Sequence, residues 1–268
     1  MKSLLVADLH YSLQQFDWAI HAASQVDAVV AAGDHLDIAS SVDGPTQIAV
    51  IFKYFRRLAS RATTIVCSGN HDLDATNAAG EKYARWIQKA RMLGLSTDGD
   101  TCTLGSALVT ICPWWDGPRT RDDVAAELAR DAGKRTGRWI WVYHAPPNRS
   151  PTSWNGTQDF GDSDLAGWIQ QYSPDLVLAG HIHSAPFTAG GSWVDRIGST
   201  WVFNAGREPG PVPTHVVFDL EEGWAYWVCS ERIEHVRLDE PLTRPILEAS
   251  DAPSWIRALG QGAGRIPA

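Results

Sequence analysis

Five short apolar segments of the sequence each end in side chains that can bind a metal ion. They are followed, in order, by Asp8-Leu9-His10, Gly33-Asp34-His35-Leu36-Asp37, Gly69-Asn70-His71-Asp72, His144 and Gly180-His181-Ile182-His183. In open α/β sheets, ligands bind beyond the carboxyl ends of the strands. We therefore expect these five groups to meet at one edge of a sheet, although they are far apart along the chain.

Two of the groups carry candidate ligands that are two residues apart. In an extended backbone, residues i and i+2 point to the same side. Asp8 and His10 can then face one site, and so can His181 and His183. A glycine directly precedes the candidate ligand in three groups, where it permits a sharp turn and leaves room for an ion.

The candidate ligands are carboxylates, imidazoles and one amide, without a thiolate. The set comprises Asp8, His10, Asp34, Asn70, His144, His181 and His183. Such donors suit Mn²⁺, Fe²⁺, Co²⁺ or Zn²⁺, of which we favour Mn²⁺. A single catalytic ion needs about three protein ligands, so seven candidates predict two divalent ions that share Asp34 as a bridge.

The charge of such a site predicts an anionic substrate. Two divalent ions, two ligand carboxylates and a bridging hydroxide leave a local charge of about +1. The whole chain has a formal net charge of -8, so a phosphate group would be attracted to this spot. The ions would also lower the pKa of the bridging water toward about 7.

Three residues within the groups are not needed as ligands. His71 can donate a proton to a leaving oxygen, with Asp72 holding the required tautomer. Asp37 is expected to hydrogen bond to a ligating histidine. The sequence thus predicts His71 and Asp72 as catalytic residues and Asp37 as a support for the metal site.

The first third of the chain alternates apolar strands with helical stretches. Strands are predicted at residues 3–7, 28–32 and 63–67, and helices at 13–24, 46–59 and 81–93. Strands separated by helices of this length are typical of βαβ units and predict an α/β fold with a largely parallel sheet.

Shorter strands dominate the rest of the chain. They are predicted at 101–104, 107–112, 139–143, 176–179, 193–197, 200–204, 215–219 and 224–229, with helices at 122–131 and 165–172. Residues 148–163 lack periodicity and are expected to form a long loop, which often carries function. Arg149 and Asn155 in this loop are candidate substrate-binding residues. We expect residues 1–240 to form one domain and residues 241–268 to be an extension of uncertain order.

The composition disfavours several other kinds of protein. Hydrophobic residues make up 44% and charged residues 20% of the chain, which is typical of a globular protein. The acidic net charge makes a long nucleic acid an unexpected partner, and no apolar run is long enough for a membrane helix or a signal peptide. The four cysteines form no CxxC pair, and we expect thiols and a cytoplasmic location.

The five groups, in this order, resemble the calcineurin-like metallophosphoesterase superfamily. The resemblance implies a four-layer α/β fold, in which a sandwich of two sheets is flanked by helices. It also implies how the ligands are divided between the ions: Asp8, His10, Asp34 and His183 on one, and Asp34, Asn70, His144 and His181 on the other. His71 would stabilise or protonate the leaving group.

Two departures from the pattern of the protein phosphatases narrow the choice of subfamily. Protein Ser/Thr phosphatases of this superfamily follow the second group with Arg-Gly and precede the third with Arg. Here Ile38-Ala39 follows Asp37, and Ser68 precedes Gly69. The chain is more similar to the small bacterial phosphodiesterases, so we expect a small phosphodiester as substrate. The alternatives are a phosphomonoesterase or nuclease on the same scaffold, or a metal-binding module without catalysis, and the oligomeric state is open.

Overall fold

The computed structural model describes residues 1–261, which contain six α-helices and fifteen strands. In the first part of the chain these are β1 (Lys2–Val6), α1 (Leu13–Ala22), β2 (Ala28–Ala32), α2 (Gly44–Ala59), β3 (Thr63–Cys67), β4 (Ala75–Thr76), β5 (Lys82–Tyr83), α3 (Arg85–Ala90), β6 (Thr101–Leu104), β7 (Ala107–Ile111) and α4 (Pro118–Ala132). They are followed by β8 (Trp139–Val142), α5 (Ser163–Tyr172), β9 (Leu176–Ala179), β10 (Val194–Ile197), β11 (Thr200–Asn204), β12 (His215–Asp219), β13 (Trp224–Val228), β14 (Ile233–Arg237), β15 (Leu247–Glu248) and α6 (Ser254–Gly260).

The helices begin and pack as their sequences require. Asp43 caps α2 by accepting a hydrogen bond from the Thr46 amide, which satisfies one of the free N–H groups of the first turn. Ile51, Phe55 and Leu58 are buried on one face of the same helix. Their spacing of three and four residues places them on the stripe that faces the sheet.

Two large sheets carry the strands. One has the order β15-β14-β13-β12-β1-β2-β3, and the other has the order β10-β11-β9-β8-β7-β6. β1, β2 and β3 are parallel, as are β7, β8, β9 and β11. Because parallel strands point the same way, the segments that follow them emerge at a common edge in each sheet.

The two sheets pack face to face, with helices on their outer surfaces. Leu5 and Ile65 of the first sheet and Val109 and Leu178 of the second belong to one buried cluster between the sheets. A second cluster joins the first sheet to α1, α2 and α3, and a third joins the second sheet to α4 and α5. The predicted four-layer α/β sandwich is confirmed.

Some element boundaries differ from the prediction. The helix predicted at 81–93 is shorter, because residues 82–83 form β5 and pair with β4. The Glu81 carboxylate accepts hydrogen bonds from the amides of Arg119 and Thr120, so Glu81 caps α4. The helix predicted at 122–131 begins earlier, with Pro118 in its first turn.

The end of the described chain contains elements that the sequence analysis did not predict. β14 and β15 extend the first sheet, and α6 buries Ile256 and Leu259. The structure describes residues 241–261 of the predicted extension, while 262–268 lie outside the described residues. The division into a domain of residues 1–240 and an extension stays a prediction. No helix among residues 1–261 is both long and apolar enough to cross a membrane.

Candidate functional site

The predicted ligands follow the ends of five parallel strands. Asp8 and His10 follow β1, Asp34 follows β2 and Asn70 follows β3 of the first sheet. The ends of β8 and β9 supply the remaining ligands from the second sheet, which are His144, His181 and His183. The centre is therefore built at the seam between the two sheets, and neither sheet could form it alone.

The backbone at several ligands is left-handed rather than extended. Asp8, His10, Asp34 and His181 have φ angles of 56°, 41°, 54° and 66°. Such values are uncommon for residues other than glycine and are concentrated at functional sites. The expectation that i and i+2 face one site through an extended segment is therefore wrong for Asp8 and His10. Both side chains reach the site from a tight turn.

Two glycines allow the ligand loops to approach each other. A Cβ atom at Gly69 would collide with the Asp34 carboxylate, and one at Gly33 would collide with the His144 ring. Gly33 also has a φ of 88°, which side chains other than hydrogen rarely permit. At both positions, the side chain of a neighbouring candidate ligand takes up the space that the glycine leaves free.

One group of ligand atoms surrounds Asp8. The Nε2 atom of His183 lies 3.2 Å from Asp8 Oδ1, and Nε2 of His10 lies 3.9 Å from the same oxygen. The two Nε2 atoms are 3.0 Å apart. Two imidazole nitrogens bound about 2.1 Å from one ion at a right angle would have about this separation.

A second group of ligand atoms surrounds Asp34. Its Oδ2 atom lies 3.2 Å from Nε2 of His144, 3.7 Å from Nε2 of His10 and 3.9 Å from Nε2 of His71. Potential ligand atoms of Asp34, His144 and His181 all lie within 4.8 Å of one another. Asp34 thus stands between the two groups, as a bridging ligand must.

Two buried polar atoms of the site have no hydrogen-bond partner among residues 1–261. They are Nε2 of His144 and Oδ1 of Asn70. The Nδ1 atom of His144 lies 2.6 Å from the carbonyl oxygen of Ala32 and therefore carries a proton, so the neutral ring has its lone pair on Nε2. Buried polar atoms are rarely left without a partner, so the donor set fits a metal ion at this position.

The pKa values in the site reflect burial and crowding. Burial lowers the pKa of His10 to about 4, and burial with the neighbouring His144 lowers that of His181 to about 4. Burial also opposes protonation of His144, but the nearby Asp34 carboxylate raises its pKa to about 9. His10 and His181 are therefore neutral at pH 7, which is the form that binds metals. His144 would have to release the proton on Nε2 to bind an ion.

A family model described as calcineurin-like phosphoesterase matches residues 1–185, the segment that carries all seven candidate ligands. The chain belongs to the calcineurin-like phosphoesterase family. As a member of that family, it is a metal-dependent phosphoesterase. No curated protein matches the sequence.

Solved structures share the fold. TT1561 of Thermus thermophilus is 16% identical, with a TM-score of 0.57 over 88% of this chain and 98% of its own. Purple acid phosphatase PPD1 from yellow lupin (Lupinus luteus) seeds is 13% identical, with a TM-score of 0.52 over 91% of this chain and 52% of its own. A dimetal phosphatase from Danio rerio is 10% identical, with a TM-score of 0.50 over 90% and 98%. At these identities the likeness shows a common fold.

Asp72 has different partners from those predicted. Its carboxylate is fully buried and accepts hydrogen bonds from the amides of His35, Leu36 and Gly69. The expectation that Asp72 holds the tautomer of His71 is therefore wrong for this structure, because its oxygens are directed at backbone N–H groups. In this member of the calcineurin-like phosphoesterase family, Asp72 connects the loops after β2 and β3.

Asp37 also lies apart from the ligating histidines. Its Oδ1 atom accepts a hydrogen bond from the amide of Ala39, and its backbone is held by Gln47. The predicted hydrogen bond to a ligand is thus replaced by a local turn. The short side chain of an aspartate readily bonds to the amide two residues ahead.

The two candidate substrate residues lie in the loop after β8. Arg149 is exposed, and its backbone has a φ of 62°. Asn155 is half-buried and orders the loop by accepting hydrogen bonds from the amides of Thr157 and Gln158. Its carbonyl oxygen accepts a hydrogen bond from Ser184, next to His183. Substrate binding by Arg149 and Asn155 stays a prediction.

Trp114 supports the site in a way that the sequence analysis did not predict. Its ring lies 5.2 Å from that of His181 and 5.7 Å from that of His144, between centroids. Its amide donates to the hydroxyl of Ser68, just before the third ligand group. The sequence feature that could have pointed to Trp114 is its position just after β7, at the same end of the sheet as the candidate ligands. Trp114 thus packs against the rings of two candidate ligands.

Proposed function

We propose that the protein hydrolyses small phosphodiesters with two divalent ions held by the seven ligands. The observation that carries this proposal is the arrangement around Asp34. One carboxylate oxygen faces imidazoles from two groups of ligands, and two buried donor atoms beside it lack partners among the described residues. This arrangement supports a site for two ions that share one carboxylate.

Each ion would have its own set of ligands. Asp8, His10 and His183 would hold one, and His144, His181 and Asn70 would hold the other, with Asp34 shared. When bound, the ions would neutralise charge on the phosphate oxygens and lower the pKa of a water molecule between them. The oxygen and nitrogen donors suit Mn²⁺, Fe²⁺, Co²⁺ and Zn²⁺. Of these we favour Mn²⁺, and metal analysis of the purified protein can identify the ion.

His71 is placed to supply a proton. Its side chain is 20% exposed, so a substrate can reach it. The amide of Ile38 donates to Nδ1 over 3.4 Å, which leaves the proton of the neutral ring on Nε2. That atom lies 3.9 Å from Oδ2 of Asp34, beside the position that a substrate phosphate would take. To protonate the departing oxygen from Nε2, His71 would act as the imidazolium and be left as a neutral ring.

The surroundings of His71 support a diester rather than a monoester. A monoester dianion carries more charge than a diester and benefits from arginine clamps. At the positions where related phosphatases carry arginine, this chain has Ser68, which is buried, and Ile38, which is 74% exposed. An apolar side chain at the mouth suits a diester with one charge and two organic substituents.

The chain's acidity supports a small substrate. The formal net charge of -8 disfavours binding along a nucleic-acid backbone, which depends on lysine and arginine contacts. All four cysteines are free, which suits the cytoplasmic location that we propose.

A comparison of two esters tests the proposal. With Mn²⁺ added, bis(4-nitrophenyl) phosphate should be hydrolysed with a kcat/KM at least about tenfold above that of 4-nitrophenyl phosphate. The His181→Ala variant should be inactive on both. A preference for the monoester would overturn the diesterase assignment, and metal-loaded protein that hydrolyses neither would favour a binding module.

A further inference from the structure

A cleft of about 700 Å³ adjoins His71. Ile38, Val42 and Ile48, from the loop after β2 and the start of α2, line one part of it. Leu73 and Trp86, from the segment after β3 and from α3, line another. The cleft is thus continuous with the residue that would protonate the leaving oxygen.

Hydrogen bonds hold both sides of the cleft in a fixed shape. The buried Gln47 donates to the carbonyl oxygens of Asp37 and Val42 and accepts from the Asp37 amide. On the other side, the Trp86 indole donates to the carbonyl oxygen of Asp72. A cleft formed before binding avoids the cost of ordering loops around a ligand.

The lining of the cleft combines apolar side chains with charged ones, and the charges do not favour a further anion. Asp37, Asp43 and Asp74 outnumber Arg85 and Lys89, and Arg85 lies 3.9 Å from Asp74. In addition, Ile38 is one of the few large apolar side chains that are well exposed, at 74%. Exposed apolar surface at the rim of a cleft is typical of a binding site.

We propose that this cleft binds the ester substituent that leaves as the alcohol, and that it selects uncharged aryl or alkyl groups. The proposal rests on the phosphodiesterase function proposed above. Hydrolysis forms a bond between a water oxygen and phosphorus and breaks the bond from phosphorus to the oxygen of the group in the cleft. That oxygen keeps the bonding electron pair and takes a proton from Nε2 of the His71 imidazolium, which becomes neutral, and the proton lost by water restores the imidazolium.

The test uses an unsymmetrical diester, phenyl 4-butylphenyl phosphate. The two phenols leave with nearly equal intrinsic ease, so the product ratio shows which group occupies the leaving position. The Mn²⁺-loaded enzyme should release 4-butylphenol over phenol by about tenfold, because the butyl chain is buried in the cleft. Chromatography of the released phenols measures this ratio.

Two variants test the role of the cleft wall. Ile38→Ser and, independently, Val42→Ser should reduce the preference at least about threefold by removing apolar surface. Leu247→Ser is the matched control, since Leu247 is 72% exposed on β15 and should leave the ratio unchanged. Thermal unfolding verifies that each variant is folded.

The outcomes separate the two proposals. Equal release of both phenols, or a preference for phenol, by an enzyme that hydrolyses diphenyl phosphate would overturn the role of the cleft alone. The same ratio of 4-butylphenol to phenol in wild type and in both wall variants would also overturn the role of the cleft. Metal-loaded enzyme that hydrolyses no diester would instead overturn the phosphodiesterase function, and the inference with it.

Discussion

Asp34 connects the two groups of ligands through a single oxygen atom. Its Oδ1 accepts a hydrogen bond from the amide of His71, which leaves Oδ2 for the imidazoles around it. Asp34→Asn keeps the shape of the side chain but removes the negative charge that two ions would share. We expect the variant to lose bound metal and at least about 10³-fold in activity. Elemental analysis of the purified protein, together with a diesterase assay, measures both.

The control for this variant is Asp17→Asn, an aspartate that is half exposed on α1 and pairs with Arg57. It should keep both metal and activity. Full metal content in Asp34→Asn would show that Asp34 is not a shared ligand, since a carboxamide oxygen is a much weaker ligand for these ions.

His71 belongs to a third group of possible ligand atoms, together with His10 and Asp34. The proposal nevertheless makes it a proton donor. His71→Ala should therefore retain metal and reduce turnover by roughly 10²–10⁴ for esters of poor leaving groups. The loss should be smaller for 4-nitrophenyl esters, because nitrophenolate leaves without protonation.

Metal content distinguishes the two roles of His71. If His71→Ala lost metal in parallel with activity, His71 would be a ligand rather than an acid. His21→Ala, in the last turn of α1 and outside the three groups of possible ligand atoms, serves as the matched histidine control and should behave as wild type.

The sequence could predict that the candidate ligands lie close together, but not which residues support them. Residue types such as Asp8, His144 and His181 follow strand ends, and the topology of parallel strands then brings them together. The partners of Asp72 and Asp37 depend on where backbone N–H groups point after the loops have folded. That direction is a property of the loop conformation and leaves no periodic signal in the sequence.

At the scale of elements, the loops after β2 and β3 are joined by Asp72. Replacing it by alanine would leave three buried amides, those of His35, Leu36 and Gly69, without an acceptor. We expect Asp72→Ala to lower the free energy of unfolding by roughly 3 kcal/mol, as measured by denaturant titration. If Asp72→Ala kept the wild-type free energy of unfolding but lost turnover, Asp72 would instead act by orienting His71.

Two carboxyl groups outside the site are shielded from water: Asp98, which is buried just before β6, and Glu127, which is half-buried on α4. Burial raises the pKa of Asp98 to about 7 and that of Glu127 to about 8, above their ordinary values of 3.8 and 4.5. Folding therefore favours the protonated forms. Their contribution to stability is complete below about pH 4 and is lost as the pH rises to about 8.

This linkage gives a prediction for Glu127→Gln. The variant cannot ionise, so its free energy of unfolding should exceed that of wild type at pH 9 by at least about 1 kcal/mol. The difference should shrink toward pH 5, where Glu127 of the folded protein is protonated. Thermal melts across this range measure it, with the exposed Glu231→Gln as control. An equal pH dependence in both proteins would contradict the prediction.

The strands were easier to predict than the segments between them. β2, β3 and β9 match their predicted ranges, because each is a short and largely apolar run. The region around Glu81 could not be predicted in this way, because its carboxylate caps a distant helix. β14 and β15 were not predicted either, because β14 includes the charged residues Glu234 and Arg237 and β15 has only two residues.

For the molecule as a whole, the site lies where the two sheets meet. The candidate ligands that follow β1, β2 and β3 belong to one sheet, and those that follow β8 and β9 belong to the other. Ions that bind only the folded arrangement stabilise it by mass action. Removal of metal by a chelator should lower Tm by about 5–10 °C, and Mn²⁺ should restore it. Asp34→Asn should show no such shift, and an equal shift in that variant would place the stabilising ions elsewhere.

The order of strands in the first sheet has a consequence for synthesis on the ribosome. β1 lies between β2, which is made soon after it, and β12, which begins at His215. At about 5–20 residues per second, that edge of β1 stays open for roughly ten to forty seconds. A nascent chain in this state presents an unpaired strand edge to other chains, so its need for chaperones should be greatest before residue 215 emerges.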